Sequence, residues 1–148
     1  MSATNTFETN ILALIFQNID CPNVGDAAGL QNSAAAGVFY ISLHTGDPGE
    51  TGNQTTSEAT YGGYARKSVA RATGAGGWAV TGNVADNVSI ISFDPCSSGS
   101  NTITHFGVGS DVSGVGNLHF SGALSASLAV STGITPSFAV GALDCTCD

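Results

Sequence analysis

The sequence predicts a mainly β fold: a single β-sandwich, with a jelly roll as one arrangement, preceded by a short N-terminal α-helix. From Val38 onward, short apolar runs are separated by Gly, Pro and Asn turns, which is the pattern of short strands. Twenty of the 148 residues are Gly and only 9% are charged, against roughly 25% in an average soluble domain. An apolar period typical of a helix is found at the start of the chain.

Residues 4–19 are predicted to form this helix. Its apolar side chains recur at helical spacing and form one wide face: Phe7, Ile11, Leu12, Ile15, Phe16 and Ile19. Asn5 and Glu8 match a capping box, and the turn before Pro22 is expected to end the helix. The face must be covered by the same domain or by a neighbouring subunit. Phe7, Ile11 and Ile15 are therefore candidate partner-binding residues.

One domain over residues 1–148 is predicted, because the length suits one core and no repeat or linker of domain scale is visible. Residues 20–37 are a connector rich in Ala, Gly, Asn and Ser, and residues 38–148 are the sandwich. Strands are predicted at 38–44, 63–72, 77–82, 87–93, 102–108, 116–122, 125–131 and 136–147. The polar loop at 46–62 is expected to be exposed, mobile in isolation and available for contact.

The charge pattern excludes several partners. The net charge is −8, whereas nucleic-acid binding needs many phosphate contacts from Lys and Arg. Nucleic acid and anionic membranes are therefore not expected to bind. No targeting segment is visible, and the apolar run at residues 11–16 is too short to cross a bilayer. The chain is accordingly expected to be made and used without export.

All three basic residues of the chain lie in one predicted strand: Arg66, Lys67 and Arg71. Two aromatic residues, Tyr61 and Tyr64, precede them. Tyr and Arg are favoured at interface cores, so these five residues form a candidate partner-binding patch. The alternative is that the two rings only fix the start of a strand.

Catalytic motifs are not recognisable in the sequence. It contains no G-x-S-x-G, P-loop or H-E-x-x-H pattern, and the three histidines lie in strand-like runs where structural roles are commoner. The four cysteines fit neither a disulfide scaffold nor a standard zinc site and are expected to be reduced: Cys21, Cys96, Cys145 and Cys147. An enzyme is not expected, and no cofactor or metal is predicted.

Six short motifs in a fixed order carry a family resemblance. They are NTFE at 5–8, LHTGDPG at 43–49, GYAR at 63–66, THFGV at 104–108, GNLHFSGAL at 116–124 and PSFAVGAL at 136–143. They are spread over residues 5–143 and resemble a broad family of small tailed-bacteriophage virion proteins, which are labelled tail-fibre, decoration or cement proteins. The resemblance implies a β-sandwich structural component without catalysis.

The resemblance leaves the position on the particle open. Because a trimeric fibre normally needs an elongated shaft with repeats and this sequence has none, we expect a capsid decoration (cement) protein, made in the host cytoplasm and located on the outer surface of the capsid. Copies would bind the major capsid protein, stabilise the shell and associate with one another as a dimer or trimer. The basic strand would face an acidic capsid patch. The alternative is a tail-fibre or tail-tip protein that binds a host-surface receptor or glycan through residues such as Tyr61, Tyr64 and Trp78. A hydrolase of cell-wall or capsule sugar is a third, more distant option.

Overall fold

The computed structural model describes residues 2–147. Within them the chain forms one α-helix and nine β-strands: α1 (Asn5–Gln17), β1 (Val38–His44), β2 (Lys67–Ala70), β3 (Trp78–Thr81), β4 (Val84–Asn87), β5 (Ile91–Ser92), β6 (Ser100–Gly109), β7 (Leu118–Ser131), β8 (Ser137–Phe138) and β9 (Asp144–Thr146). The pairs β1/β6, β6/β7, β3/β4 and β4/β9 are antiparallel. The predicted class, mainly β with a short N-terminal helix, is confirmed, and the separate antiparallel sheets are compatible with a β-sandwich.

The described residues divide into two compact units. The first contains the residues up to Val38, the segment Val69–Ile90 and the residues from Phe138 onward. The second contains Phe39–Ser68 and Ile91–Ser137. The expected single domain over residues 1–148 stays a prediction.

Helix α1 in the first unit begins and ends differently from the expectation. Its N-cap is Thr4, which is extended and makes no side-chain capping hydrogen bond, so the predicted capping box of Asn5 and Glu8 is wrong. The helix ends at Gln17 because Asn18 adopts the left-handed conformation, with φ of 57°. The amide of Ile19 then donates to the carbonyl of Ala13 at 3.2 Å, as in a Schellman motif. The helix thus stops before the turn at Pro22.

Only one side of α1 is fully covered by its own unit. Leu12 and Phe16 are buried, and the Phe16 ring meets Trp78 of β3 edge-on with 4.7 Å between ring centroids. The side-chain amide of Gln17 donates to the Trp78 carbonyl at 2.9 Å. Trp78 belongs to the sheet β3-β4-β9, so this sheet and the helix form the core of the first unit.

The connector at residues 20–37 is a hydrogen-bonded loop. Cys21 and Leu30 form an isolated antiparallel bridge. The Asp26 carboxylate accepts hydrogen bonds from the amides of Ala28 and Gly29, each at 2.9 Å. Gly29 has φ of 68°, a backbone conformation that glycine adopts without steric cost.

The sheet of the second unit has the strand order β2-β1-β6-β7, and the last two residues of β2 fall in the first unit. Strand β1 has the predicted bounds. The strands predicted at 116–122 and 125–131 form one strand, β7, because small residues continue the extended chain. A register shift between Ile103 and His105 of β6 accommodates the extra residues of β7. The strand predicted at 63–72 is shorter, since Gly63 has φ of 92° and residues 61–64 form a turn.

Candidate functional site

The centre of the candidate site is a buried ion pair in the second unit. Arg66 immediately precedes β2 and is only 7% exposed. Its Nε donates to Oε1 of Glu58 at 2.6 Å and its Nη2 donates to Oε2 at 2.8 Å. This two-point hydrogen bond to Glu58 raises the pKa of Arg66, so the guanidinium stays charged inside the fold.

The remaining donors of Arg66 hold the loop that connects β6 and β7. Nη1 donates to the carbonyl of Asp111 at 2.9 Å, and Nη2 donates to the carbonyl of Gly114 at 2.7 Å. One guanidinium therefore ties residues 58, 111 and 114 together. Arg66 acts as an internal brace, because its charge faces these acceptors.

The two tyrosines predicted for the patch also point inward. The Tyr64 hydroxyl donates to Oε1 of Glu58 at 2.9 Å and accepts from the Leu43 amide at 3.0 Å, and burial raises the pKa of Tyr64. Tyr61 is 3% exposed, and burial, with a smaller contribution from Asp94, raises its pKa to about 12. The two rings meet edge-on at 5.4 Å. Both rings thus make contacts within the second unit, and a partner contact by either tyrosine stays a prediction.

Gln54 anchors the loop at 46–62. The expected exposure of this loop holds for residues such as Asp47, Thr51 and Thr55, and its mobility in isolation stays a prediction. The side chain of Gln54 is fully buried. It accepts from the Asp111 amide at 2.9 Å and donates to the Asp111 carbonyl at 3.3 Å. The backbone N–H of Gln54 donates to the Val115 carbonyl at 3.0 Å. A polar side chain thus anchors the loop where apolar residues are few.

The β6–β7 loop held by Arg66 and Gln54 carries exposed apolar side chains. Val112 is 61% exposed and Val115 is 64% exposed, although the carbonyls of Asp111, Gly114 and Val115 are all hydrogen-bonded inward. The loop is therefore fixed by hydrogen bonds to its carbonyl groups, while the side chains of Val112 and Val115 are exposed to solvent. The sequence analysis missed it; two valines within a Gly-rich turn were the available signal.

Lys67 and Arg71 have different environments from Arg66. Lys67 Nζ lies 2.7 Å from Oδ2 of Asp94, and the two side chains are 27% and 50% exposed. Arg71, in the first unit, donates to the carbonyls of Ile15 at 2.6 Å and Leu14 at 2.8 Å. It also donates to the carbonyl of Ala36 at 2.8 Å. Arg71 thus satisfies carbonyls at the C-terminal end of α1, where a positive charge also complements the helix dipole.

The helix residues predicted to bind a partner lie on the less covered side of α1. Phe7 is 44% exposed, and Ile11 and Ile15 are half-buried. Ile19 continues the row beyond the helix at 44% exposure. This apolar row is the only part of the predicted partner-binding set, within residues 2–147, that combines apolar character with exposure. A partner contact by any of the eight predicted residues stays a prediction: Tyr61, Tyr64, Arg66, Lys67, Arg71, Phe7, Ile11 and Ile15.

A serine and a histidine lie within hydrogen-bonding distance on β1. Ser42 Oγ is 2.8 Å from His44 Nε2, and His44 Nδ1 is 2.8 Å from the Thr56 carbonyl. In the neutral ring, Nδ1 donates to this carbonyl and Nε2 accepts from the serine. Burial lowers the pKa of His44. The pairing resembles a nucleophile and its base, but both residues have no exposed surface, so a substrate has no access in this conformation.

The described residues contain neither a metal-binding cluster nor a membrane-spanning helix. Within residues 2–147, no group of three or more His, Cys, Asp or Glu side chains could hold a metal ion. The four cysteines are unpaired; burial raises the pKa of Cys145 to about 12. None of the helical structure in the described residues is long and apolar enough to cross a membrane.

The comparison with protein families identifies the class of this chain as a phage virion structural protein. It belongs to the family described as podophage GP4 fiber I protein gp80, whose model matches residues 2–146. The resemblance to tailed-phage virion proteins is therefore confirmed. No curated protein matches the chain significantly.

Proposed function

We propose that the protein is a building unit of a fibre on a podophage virion and acts by binding other proteins, without catalysis. The observation that carries this proposal is the match of a phage fibre family over residues 2–146. The buried Ser42–His44 pair supports a non-catalytic role, because a reacting serine must meet its substrate.

Two exposed apolar features supply the contacts. The row of Phe7, Ile11 and Ile15 on α1 is an apolar helix face of the kind that docks on a protein neighbour. The Val112–Val115 loop is held rigid, so it loses little conformational entropy on binding. Arg66 and Gln54 contribute by holding this loop, and Lys67 is the basic residue of the second unit that remains partly accessible.

Capsid decoration, the function expected from the sequence, is the second candidate. It is favoured by the absence of any repeat in the sequence that would build an elongated shaft. In that role the protein would lie on the outer capsid surface, bind the major capsid protein and stabilise the shell. Repeated weak contacts would suffice, because effective concentration strengthens binding at neighbouring sites.

Virions assembled without the protein separate the two candidates. The fibre proposal predicts reduced adsorption to host cells with normal resistance of the head to heat and chelators. Normal adsorption with a heat-sensitive head would contradict it and support decoration. Adding back purified protein is the control, and restored adsorption is the expected result. Incubation of the protein with host-surface polysaccharide should release no new reducing ends; such release would contradict the non-catalytic role.

A further inference from the structure

Strand β7 is an uncharged edge strand. It is the last strand in the order β2-β1-β6-β7, so within residues 2–147 only β6 pairs with it in this sheet. No charged residue occurs in the sequence between Asp111 and Asp144, and β7 lies wholly inside this stretch. Most of its residues are exposed. An edge of this kind offers a row of backbone donors and acceptors to another strand.

The opposite edge of the same sheet is protected in the usual way. Strand β2 is only four residues long and begins at Lys67, which pairs with Asp94. Short edges and edge lysines prevent pairing with other chains. β7 has fourteen residues and contains neither Pro nor any charged residue. The two edges of the sheet therefore differ in whether they admit another strand.

The regular part of the β7 edge is its first half. Residues from Leu118 to Ala123 follow β6 in register apart from a shift near Gly109, whereas Ala123 and Leu128 pair with His105 and Ile103 across a larger irregularity. Residues 124–127 have no register partner on β6. In the first half, exposure alternates, and Ser121 and Ala123 are exposed. These side chains are small, so another strand can approach closely.

We propose that β7 pairs antiparallel, over its first half, with β7 of a second copy of this chain, which joins two sheets into one. The charge distribution favours a second copy of this chain as the partner of β7. Each chain carries a net charge of −8, so two copies repel each other except where charge is absent, and β1, β6 and β7 contain no charged residue. An antiparallel strand pair about a twofold axis is also self-complementary. The pairing does not depend on where the protein lies in the virion.

Sedimentation equilibrium of the purified full-length chain tests this proposal. The wild type is expected to form dimers, and Ser121→Lys with Ala123→Lys is expected to raise the dimer dissociation constant at least about tenfold, because like charges then face each other across the pair. The two lysines change the net charge of each chain from −8 to −6, which weakens general repulsion. Loss of the dimer must therefore be a local effect.

A matched control carries the same added charge elsewhere. Thr51→Lys with Thr73→Lys places two lysines at exposed positions outside β7 and outside the Val112–Val115 loop and is expected to leave the dimer unchanged. Amide hydrogen exchange gives a second readout: amides in residues 118–123 should gain protection as protein concentration rises. A wild-type chain that is monomeric up to about 100 µM overturns the proposal. So does a dimer that survives the β7 lysines or leaves these amides unprotected.

Discussion

Arg66 and Glu58 form an ion pair whose Nε–Oε1 distance is 2.6 Å, with side chains that are only 2% and 15% exposed. Glu58 lies in the loop at 46–62, and Arg66 lies immediately before β2. Arg66 also donates to the loop between β6 and β7, so the pair connects three segments of the chain. A residue whose charge suggests a surface contact is thus a structural link. Under the proposed function, we expect Arg66 to affect binding indirectly, through the position of Val112 and Val115.

Replacement of Arg66 by Ala is expected to destabilise the fold strongly. It leaves the Glu58 carboxylate buried without its cation and frees two loop carbonyls, and loss of one partner of a buried pair costs about 3–5 kcal/mol. Lys67→Ala is the matched control, because its pair with Asp94 is largely exposed and should change the free energy of unfolding by less than about 1 kcal/mol. Urea denaturation measures both. Similar losses for the two variants would contradict the brace role of Arg66.

Arg71→Lys is expected to weaken the attachment of α1. A lysine keeps the charge but cannot reproduce the planar set of donors that reaches the carbonyls of Leu14, Ile15 and Ala36. We expect a loss of about 1–2 kcal/mol, and a larger one for Arg71→Ala. Thermal melting followed by circular dichroism in the far ultraviolet measures the change. A lysine variant as stable as the wild type would show that the planar arrangement of the guanidinium donors is unimportant for stability.

Gly107→Ala is expected to disturb the Ser42–His44 pair. A Cβ at this position would lie 2.6 Å from Ser42 Oγ and 2.7 Å from His44 Nε2, and both side chains are buried and hydrogen-bonded. Overpacking of this kind costs about 1–3 kcal/mol. Gly46→Ala is the control, since its Cβ would meet only Ser57, at 3.5 Å or more. Equal stability of the two variants in urea would rule out the crowding.

The buried His44 predicts a stability that falls as the pH is lowered. Burial lowers its pKa in the folded state below the ordinary value of 6.5, so the unfolded chain takes up the proton first. The contribution of neutral His44 to the free energy of unfolding is fully present above pH 6.5 and is lost as the pH falls below that value. His44→Gln should flatten the pH dependence of the free energy of unfolding between about pH 7 and 5. If the free energy of unfolding of His44→Gln depended on pH as steeply as that of the wild type, His44 would not be the source of the pH dependence.

Regular, strongly patterned elements of the fold could be predicted from the sequence. The apolar run at 38–44 predicted the bounds of β1, and apolar spacing predicted α1. The predicted helix face was wider than the buried side, because Leu12 and Phe16 are buried whereas Phe7 and Ile19 are exposed. The late start of β2, at Lys67 instead of residue 63, could not be foreseen, because it follows from the positive φ of Gly63 and the turn between Tyr61 and Tyr64. Local propensity does not contain this tertiary requirement.

The role of the basic residues was harder to predict. Arg66, Lys67 and Arg71 are close in sequence, but their environments depend on distant residues: Glu58, Asp94 and the end of α1. Gln54 likewise is buried only because it hydrogen-bonds to Asp111, 57 residues away. Residue type signalled that these side chains needed partners, whereas the fold decided which partners they have.

The most direct test of the account is the position of the protein in purified virions, determined by cryo-electron microscopy of particles decorated with an antibody fragment against this chain. The account predicts label at the fibres of the tail region, at reproducible positions around the virion axis. Label spread over the head would support decoration instead and contradict the fibre assignment. Infectious virions that contain none of the protein would contradict the structural role itself.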